Sequence, residues 1–499
     1  MPFYIGLDIG TSGAKAIVCD GDGTIVASAL AEYPLSTPQP LWSEQNPADW
    51  WRGAQEAVRA VVAGIDGTQI RGIGLTGQMH GAVFLDDANH VIRPALLWND
   101  QRTAAECIEI TQKVGADRLL AIAGNPALTG FQAPKILWVR NHEPQNYARI
   151  AHIVLPKDYI RFLLSDTYAA DVADGAGTLL MDITARDYSP EILTALAIPR
   201  AWLPTLHEGP QVTGELTARA ASVLGIPAGI PIIAGGGDNA AAAVGTGIVT
   251  RGVVNSSIGT SGVVFAHSDS IALDPKGRLH TFCHSVPGAW HMMAVTLSAG
   301  GSFAWFRNLL RQMGNPALSY DDLVAVAAPT PVGAEGLIFL PYLNGERTPH
   351  LDPLARSGFV GLTSRHSVGH MARAVLEGVT YALRDGLHIM RDLGVPTTDI
   401  RATGGGGKSA FWRKLQADIY GAPVSTLAAE EGPSYGAALL AAVGTGHFRD
   451  VNDAVQRCVR VVDTVHPDDA AVTQHDRVYA IYRTMYDHLA DDMHSLSTL

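Results

Sequence analysis

The same four residues, Gly-Thr-Ser-Gly, stand at 10–13 and again at 259–262 of this 499-residue chain. Before the first copy runs Tyr4-Ile5-Gly6-Leu7-Asp8-Ile9, and before the second Val253-Val254-Asn255-Ser256-Ser257-Ile258. Ala16-Ile17-Val18 and Val263-Val264-Phe265 follow them. A strand, a small polar turn and a strand, written twice almost half a chain length apart, predict a duplicated fold with one hairpin in each half. Turns of Gly, Ser and Thr offer backbone N–H groups and hydroxyls to phosphate oxygens, so a polyphosphate would fit between two such halves. A Rossmann or Walker phosphate loop leads from a strand into a helix. Here the loop leads into another strand, and neither family fits.

The length predicts two to four domains. With 47% hydrophobic and 17% charged residues the composition is that of a globular protein. A net charge of −12 argues against a nucleic-acid partner. It leaves ATP open, because phosphates are neutralised locally by Mg2+, Lys and backbone donors. The cysteines, Cys19, Cys107, Cys283 and Cys458, form no C-x-x-C pair and read as reduced thiols of a cytoplasmic protein. No signal-peptide pattern opens the sequence, and no apolar run reaches the ~18 residues of a membrane span.

Asp20-Gly21-Asp22-Gly23 is a second hairpin turn, so residues 3 to 33 read as three strands. Helical character covers Trp50 to Ala63 and most of 103 to 165. Ile70 to Leu75 reads as a buried strand ending in Thr76-Gly77-Gln78-Met79-His80-Gly81. Pro231 to Ala234 is a strand leading through Gly235-Gly236-Gly237 to a helix start at Asp238-Asn239. Gly245 to Gly252 is a plausible hinge. Residues 367 to 393 predict a long amphipathic helix capped by Ser367. Arg401-Ala402-Thr403 leads into Gly404-Gly405-Gly406-Gly407, then a helix from Ser409 to Tyr420, and a last helix covers 473 to 493.

Asp8 closes the first strand before the first turn, where a carboxylate holds Mg2+ against phosphates or simply bonds to its own loop. Lys15 reaches a phosphate or faces solvent. Asp238 reads as a helix N-cap or as the base that takes a hydroxyl proton during phosphoryl transfer. Three glycines before it favour the second reading, since they let a ligand approach the backbone closely. A loop histidine such as His80 is ordinarily a surface residue. Trp98 reads as core, with Asn99 and Asp100 as turn residues. The Gly404 to Gly407 run suits adenine or phosphate against backbone, and equally a tight strand-to-helix turn. Gly432-Pro433-Ser434-Tyr435-Gly436 fits the G-x-S-x-G nucleophile elbow, although Glu430-Glu431 and Pro433 suit that elbow poorly. The histidines are scattered, which argues against a tight transition-metal site.

From about Tyr4 to Ala442 the chain resembles the FGGY carbohydrate kinases. The landmarks are Asp8 to Gly13, Gly77 to Gly81, Leu97 to Asp100, Gly235 to Asn239, Leu340 to His350 and Gly404 to Gly406. The second family signature, from Ser357 to Glu377, fits well, whereas the first, around Ala133 to Trp138, has Gln132 where Ser, Thr or Pro is expected. The resemblance implies an α/β, actin-like (ribonuclease H-like) fold: two related domains, 1–246 and 247–499, with a cleft between them. It implies ATP and Mg2+ as cofactors, no nucleic acid, no membrane, and a homodimer as one option for assembly. Asp238 would be the general base and Asp8 would organise Mg2+, by way of water. Met79, His80, Asp238 and Asn239 would bind the sugar. Gly10, Thr11, Ser12, Gly13, Lys15, Gly259, Thr260, Gly405, Gly406 and Ser409 would face ATP. The Gln-Met-His-Gly stretch resembles family members acting on xylulose more than those acting on glycerol, so phosphorylation of D-xylulose at O5 is the expected reaction. Ribulose or another small sugar or polyol stays open, as does a non-metabolic actin-like ATPase. Glu346-Arg347-Thr348 has no reading beyond this resemblance, except as an ion pair between domains.

Overall fold

A computed structural model describes residues 1–429 and 431–499. The three-strand expectation at the start of the chain is met by Phe3–Ile9, Gly13–Asp20 and Ile25–Glu32. They are consecutive antiparallel strands, each hairpin returning the chain directly beside itself. Phe3–Ile9 then pairs in parallel with Ile70–Gly77, and that strand with Pro231–Gly237. An antiparallel edge strand, Val212–Glu215, completes six.

The second half repeats this plan. Gly252–Ile258, Gly262–Ser268 and Trp290–Thr296 are successively antiparallel. Gly252–Ile258 pairs in parallel with Thr397–Thr403, and that strand with Val424–Leu427. Val461–Val465 adds an antiparallel edge and His280–Cys283 an extra strand at the other end, making seven. The same order of parallel and antiparallel neighbours in both sheets is the duplication announced by the repeated turns, and the fold is the expected two-domain, actin-like α/β architecture.

Helices cover the sheets. Pro47–Val62 starts at Asn46, whose side chain accepts from the Ala48 N–H, and buries Trp50, Ala54, Ala57, Val58 and Val61 on the first sheet. Val368–Asp392 starts at Ser367, whose N–H donates to His370 Nδ1 at 3.1 Å, and buries Val375, Val379, Leu383 and Leu387 in the second core. The last helix, Asp469–Ser497, begins earlier than expected because Asp468 caps it. Between Ala104 and Ser165 the helices expected there carry one short strand, His152–Val154.

Helix Gly432–Gly444 lies late in the chain but packs on the first sheet, against Phe3–Ile9 and Ile70–Gly77. Its neighbour there is helix Asp238–Thr246. Glycine makes this approach possible. A Cβ on Gly74 would stand 1.8 Å from the Ala437 carbonyl oxygen, and one on Gly436 1.8 Å from that of Ala241. These two helices bring the halves of the chain together over one strand face, so the residues at their N-termini lie where the halves meet.

Candidate active site

Asp238 is the first residue of its helix; the cap position is Gly237, not Asp238. The carboxylate Oδ1 accepts from the Asn239 backbone N–H at 2.7 Å and from Asn239 Nδ2 at 3.0 Å. Burial raises the Asp238 pKa to about 6 against these bonds. Asp8, one residue before its strand ends at Ile9, has its Oδ1 buried and without a hydrogen-bond partner, so it does not bond to its own loop. Burial, then the charge of Asp238, lifts Asp8 to about 7, partly offset by Lys15. Two carboxylates facing one space resist being ionised together.

Behind Asn239 opens a cavity of about 1010 Å³. Its wall includes Thr403, Gly404, Gly405 and Gly407, Ala242, Gly432 and Pro433, the apolar Val263, Phe265, Leu427 and Val462, and the basic Lys408 and Arg413. Such a wall suits a flat heterocycle with a phosphate tail. Gly404 has φ 72°, and a Cβ there would stand 2.6 Å from the Ile258 carbonyl, so the second turn and the glycine run are packed together. Gly406 faces the Ile258 side chain in the same way. The Ser409 hydroxyl caps helix Ala410–Tyr420, accepting from the Trp412 N–H at 3.3 Å. Gly432-Pro433 starts a helix rather than an elbow: Ser434 is buried and donates to the Glu431 carbonyl at 3.2 Å, which removes the hydrolase reading. Lys15 forms an ion pair with Glu431, tying the first hairpin to this helix start.

On the other side of Asp238 lies the 77–81 loop. A Cβ on Gly237 would stand 2.7 Å from the Met79 side chain, so Met79 sits directly against the strand that delivers Asp238. His80 has φ 68° and is half-buried, not a surface residue. Its Nδ1 lies 2.7 Å from the Gly177 carbonyl. A carbonyl only accepts, so Nδ1 carries the hydrogen and Nε2 is left as an acceptor. Burial, with the Lys135 and Arg347 charges, pushes the His80 pKa down to about 3, keeping the ring neutral. Gln132, the departure from the family pattern, donates to the Gly81 carbonyl at 2.8 Å and so supports the loop from behind.

Several contacts around the site carried no sequence signal. Trp98 is 47% exposed rather than core, and its Nε1 donates to Thr11 Oγ1 at 2.9 Å. Thr11 Oγ1 in turn donates to Gln78 Oε1 at 3.1 Å, and Gln78 Nε2 to Gln45 Oε1 at 3.0 Å. The first turn is thereby wired to the 77–81 loop. Buried Lys135 donates to the carbonyls of Phe131 (2.9 Å), Gly130, Thr129 and His80. Glu346 and Arg347 do not form the expected ion pair. Glu346 Oε1 accepts the N–H groups of Leu297 and Arg347, and burial pushes its pKa up to about 8.

Residues 3–245 match the N-terminal domain of the FGGY family of carbohydrate kinases, and residues 254–445 its C-terminal domain. The chain is 42% identical over 441 residues to a xylulose kinase of Escherichia coli K12, covering 88% of this chain and 90% of that one. The chain belongs to the FGGY family of carbohydrate kinases. A xylulose kinase of Bacillus subtilis 168 is 37% identical to this kinase over 493 residues, 98% of each chain. A solved xylulose kinase from Rhodospirillum rubrum superposes with a TM-score of 0.93 at 32% identity, over 99% of this kinase and 100% of that chain.

No three His, Cys, Asp or Glu side chains gather into a metal site among the described residues, and no helix among them is long and apolar enough to cross a membrane.

Proposed function

We propose that this kinase transfers the γ-phosphoryl group of ATP to O5 of D-xylulose. The observation that carries the reading is the place of Asp238. Through Asn239 it borders the 1010 Å³ cavity, and through Gly237 it adjoins Met79 of the 77–81 loop. A carboxylate between a nucleotide-shaped cavity and a polar loop is where a hydroxyl would lose its proton while attacking phosphorus. The O5–P bond forms as the P–O bond to ADP breaks, and Asp238 takes the O5 proton. Its pKa of about 6 leaves it ionised at neutral pH yet basic enough to serve.

The partnerless, buried Oδ1 of Asp8 fits a divalent cation, which would also relieve the repulsion between Asp8 and Asp238. A bound Mg2+ would supply neutralisation of phosphate charge, and Asp8 would hold it directly or through water. Gly405 would pass beside the nucleotide; the two Gly-Thr-Ser-Gly turns would offer it backbone N–H groups. Met79, the Nε2 acceptor of His80 and Asn239 would position the sugar and the base. The xylulose kinases among the relatives, and the Gln78 to His80 stretch, support D-xylulose as acceptor. A domain division at 246/247 would place Gly245 to Gly252 as the join, while helix Gly432–Gly444 crosses back over it. Four free thiols suit the cytoplasm.

The test is ADP release with MgATP and a panel of ketoses, polyols and aldoses, for the wild type and Asp238→Asn. D-Xylulose should give the highest kcat/KM, with an acid limb near pH 6 as Asp238 ionises. Asp238→Asn should lose roughly 10²–10⁴-fold in rate. Burial favours the neutral carboxyl in the folded chain, so its ionisation above about pH 6 costs stability. The variant's Tm at pH 8 should therefore hold or rise. A variant within tenfold of wild type would remove Asp238 as the base, and a different best sugar would remove D-xylulose.

A further inference from the structure

Arg347 is held by its backbone, while no hydrogen bond or ion pair reaches its guanidinium among the described residues. The loop around it is firmly built. Glu346 and Asp352 exchange two backbone bonds of 2.8 Å, and Leu297 pins the Glu346 carboxyl at 2.9 Å. Thr348 donates its N–H to the Val295 carbonyl at 3.0 Å and its hydroxyl to the Arg278 carbonyl at 2.8 Å. His280 lies opposite Met293 on the same strand as Val295. Residues 347–348 therefore continue the sheet edge just past His280, whose ring gathers with those of Phe282, Phe131 and His80. The ring centroids of His80 and Phe131 are 4.8 Å apart, and those of His280 and Phe282 5.5 Å. The Arg347 charge bears on both histidines. Burial draws its own pKa down to about 10. A guanidinium largely removed from water, with five donors and no partner, costs stability unless a ligand supplies acceptors.

We propose that Arg347 is a substrate-binding residue of the sugar site, donating its guanidinium fork to the two oxygens at the end of the ketose remote from the transferred phosphoryl group. This rests on the acceptor site proposed above and deepens it. Asp238 adjoins Met79 through Gly237, His80 follows Met79 in the loop, and the Arg347 charge bears on His80, so a sugar with its reacting hydroxyl at Asp238 would carry its opposite end towards Arg347. The two walls are complementary. His80 Nε2 accepts and so takes a hydroxyl proton donor, whereas Arg347 only donates. The C1 hydroxyl and C2 carbonyl of a ketose are adjacent acceptors that match a planar fork.

The experiment compares wild type, Arg347→Met and Arg347→Lys in the same ADP-release assay, with D-xylulose and with 1-deoxy-D-xylulose, alongside Tm. A charge-assisted hydrogen bond implies a rise in sugar KM of about 10–100-fold for Arg347→Met, with KM for ATP within about twofold. Arg347→Lys should fall between, keeping the charge and losing the fork. Wild type should prefer D-xylulose over the deoxy sugar by about tenfold or more, and Arg347→Met should erase that preference. Because the lost charge has no partner, the Tm of Arg347→Met should equal or exceed wild type. A sugar KM unchanged in the methionine variant, a preference that survives in it, or a lower Tm with both KM values rising together would overturn the proposal. If wild type prefers another sugar, the acceptor assignment falls and Arg347 is judged with that sugar and its own end-deoxy analogue. If wild type accepts no sugar at all, both readings fall.

Discussion

In the first Gly-Thr-Ser-Gly turn, the Gly10 N–H donates to the Gly13 carbonyl and the last paired residues are Ile9 and Ala14. In the second, Gly259 donates to Ser261 and the last pair is Ile258 with Gly262. Identical letters therefore close one residue apart. Since side chains alternate along a strand, such a shift changes what stands across from what. Asp8 lies opposite Lys15, while Ser257, which occupies the position of Asp8 in the second copy, lies opposite Val263. The supports differ as well. Side chains hold the first turn: Tyr33 donates to the Gly10 carbonyl at 2.6 Å, Gln45 to the Thr11 carbonyl at 2.7 Å, and Trp98 and Gln78 share the Thr11 hydroxyl. Backbone holds the second: the N–H groups of Gly300, Gly301 and Ala299, at the start of helix Gly300–Gln312, bond to the Gly259 and Thr260 carbonyls. Duplication supplied the scaffold twice. The charged copy is wired to the 77–81 loop, and the neutral copy contributes Ser257 and Val263 to the wall of the cavity.

Exchanging the unlike residues breaks the comparison most severely. Asp8→Ser gives the first copy the residue of the second and removes the carboxylate with the unpartnered oxygen. Loss of one preorganised charge-stabilising group should lower kcat by about 10²–10³-fold. Removing a buried carboxyl whose ionisation near pH 7 is disfavoured by burial should leave Tm at pH 8 unchanged or higher. Steady-state kinetics and thermal melts check both, and a kcat within threefold of wild type would show that the charge at this position is not used.

The reciprocal change, Ser257→Asp, is expected to act on the nucleotide alone. It places a carboxylate in a wall of glycines, small polar groups, the apolar Val263, Phe265, Leu427 and Val462, and the basic Lys408 and Arg413. Like charges a few ångströms apart at a protein surface repel by a few kcal/mol at most, so KM for ATP should rise about ten- to a hundredfold with little change in KM for the sugar. Equal effects on both constants would mean that the two turns share a function the geometry separates.

What the sequence revealed of this site was what local chemistry writes into short stretches. The two hairpins, the glycine run before Asp238 and the strand-to-helix turn at Gly404 each need particular residues at particular neighbouring positions, so they are legible one segment at a time. Trp98 was read as core because a large aromatic ring is usually buried; its exposure depends on Thr11, 87 residues away, accepting from its Nε1. Lys15 had two local readings, and neither anticipated Glu431, which comes from the far end of the chain. Glu346-Arg347-Thr348 offers, from its letters alone, only an ion pair between domains. Burial instead favours a neutral Glu346, whose Oε1 takes backbone N–H groups. Helix Gly432–Gly444 shows the same limit at a larger scale. Nothing in its own residues says that it covers the first sheet; the evidence lies in Gly74 and Gly245, which leave room for it.

The smallest expected effect tests the wiring of the first turn directly. Trp98→Phe keeps an aromatic ring and removes the indole N–H, with its five-membered ring, that reaches Thr11 Oγ1. A hydrogen bond of this kind contributes about 0.5–1.5 kcal/mol net, so kcat/KM for the sugar should fall roughly two- to tenfold. The loss should be carried through Gln78, which shares the same hydroxyl and precedes Met79 and His80 in the loop. Thr11→Val removes the bond to Gln78 as well and should cost at least as much, and the double variant should cost little more than Thr11→Val alone, because the Trp98 bond is already gone in it. At the second turn Thr260→Val has no such side-chain network to disturb and serves as the control for threonine loss itself. Additive losses at Trp98 and Thr11 would mean that the two residues act on the sugar separately, and that the link between turn and loop is a structural contact without kinetic consequence.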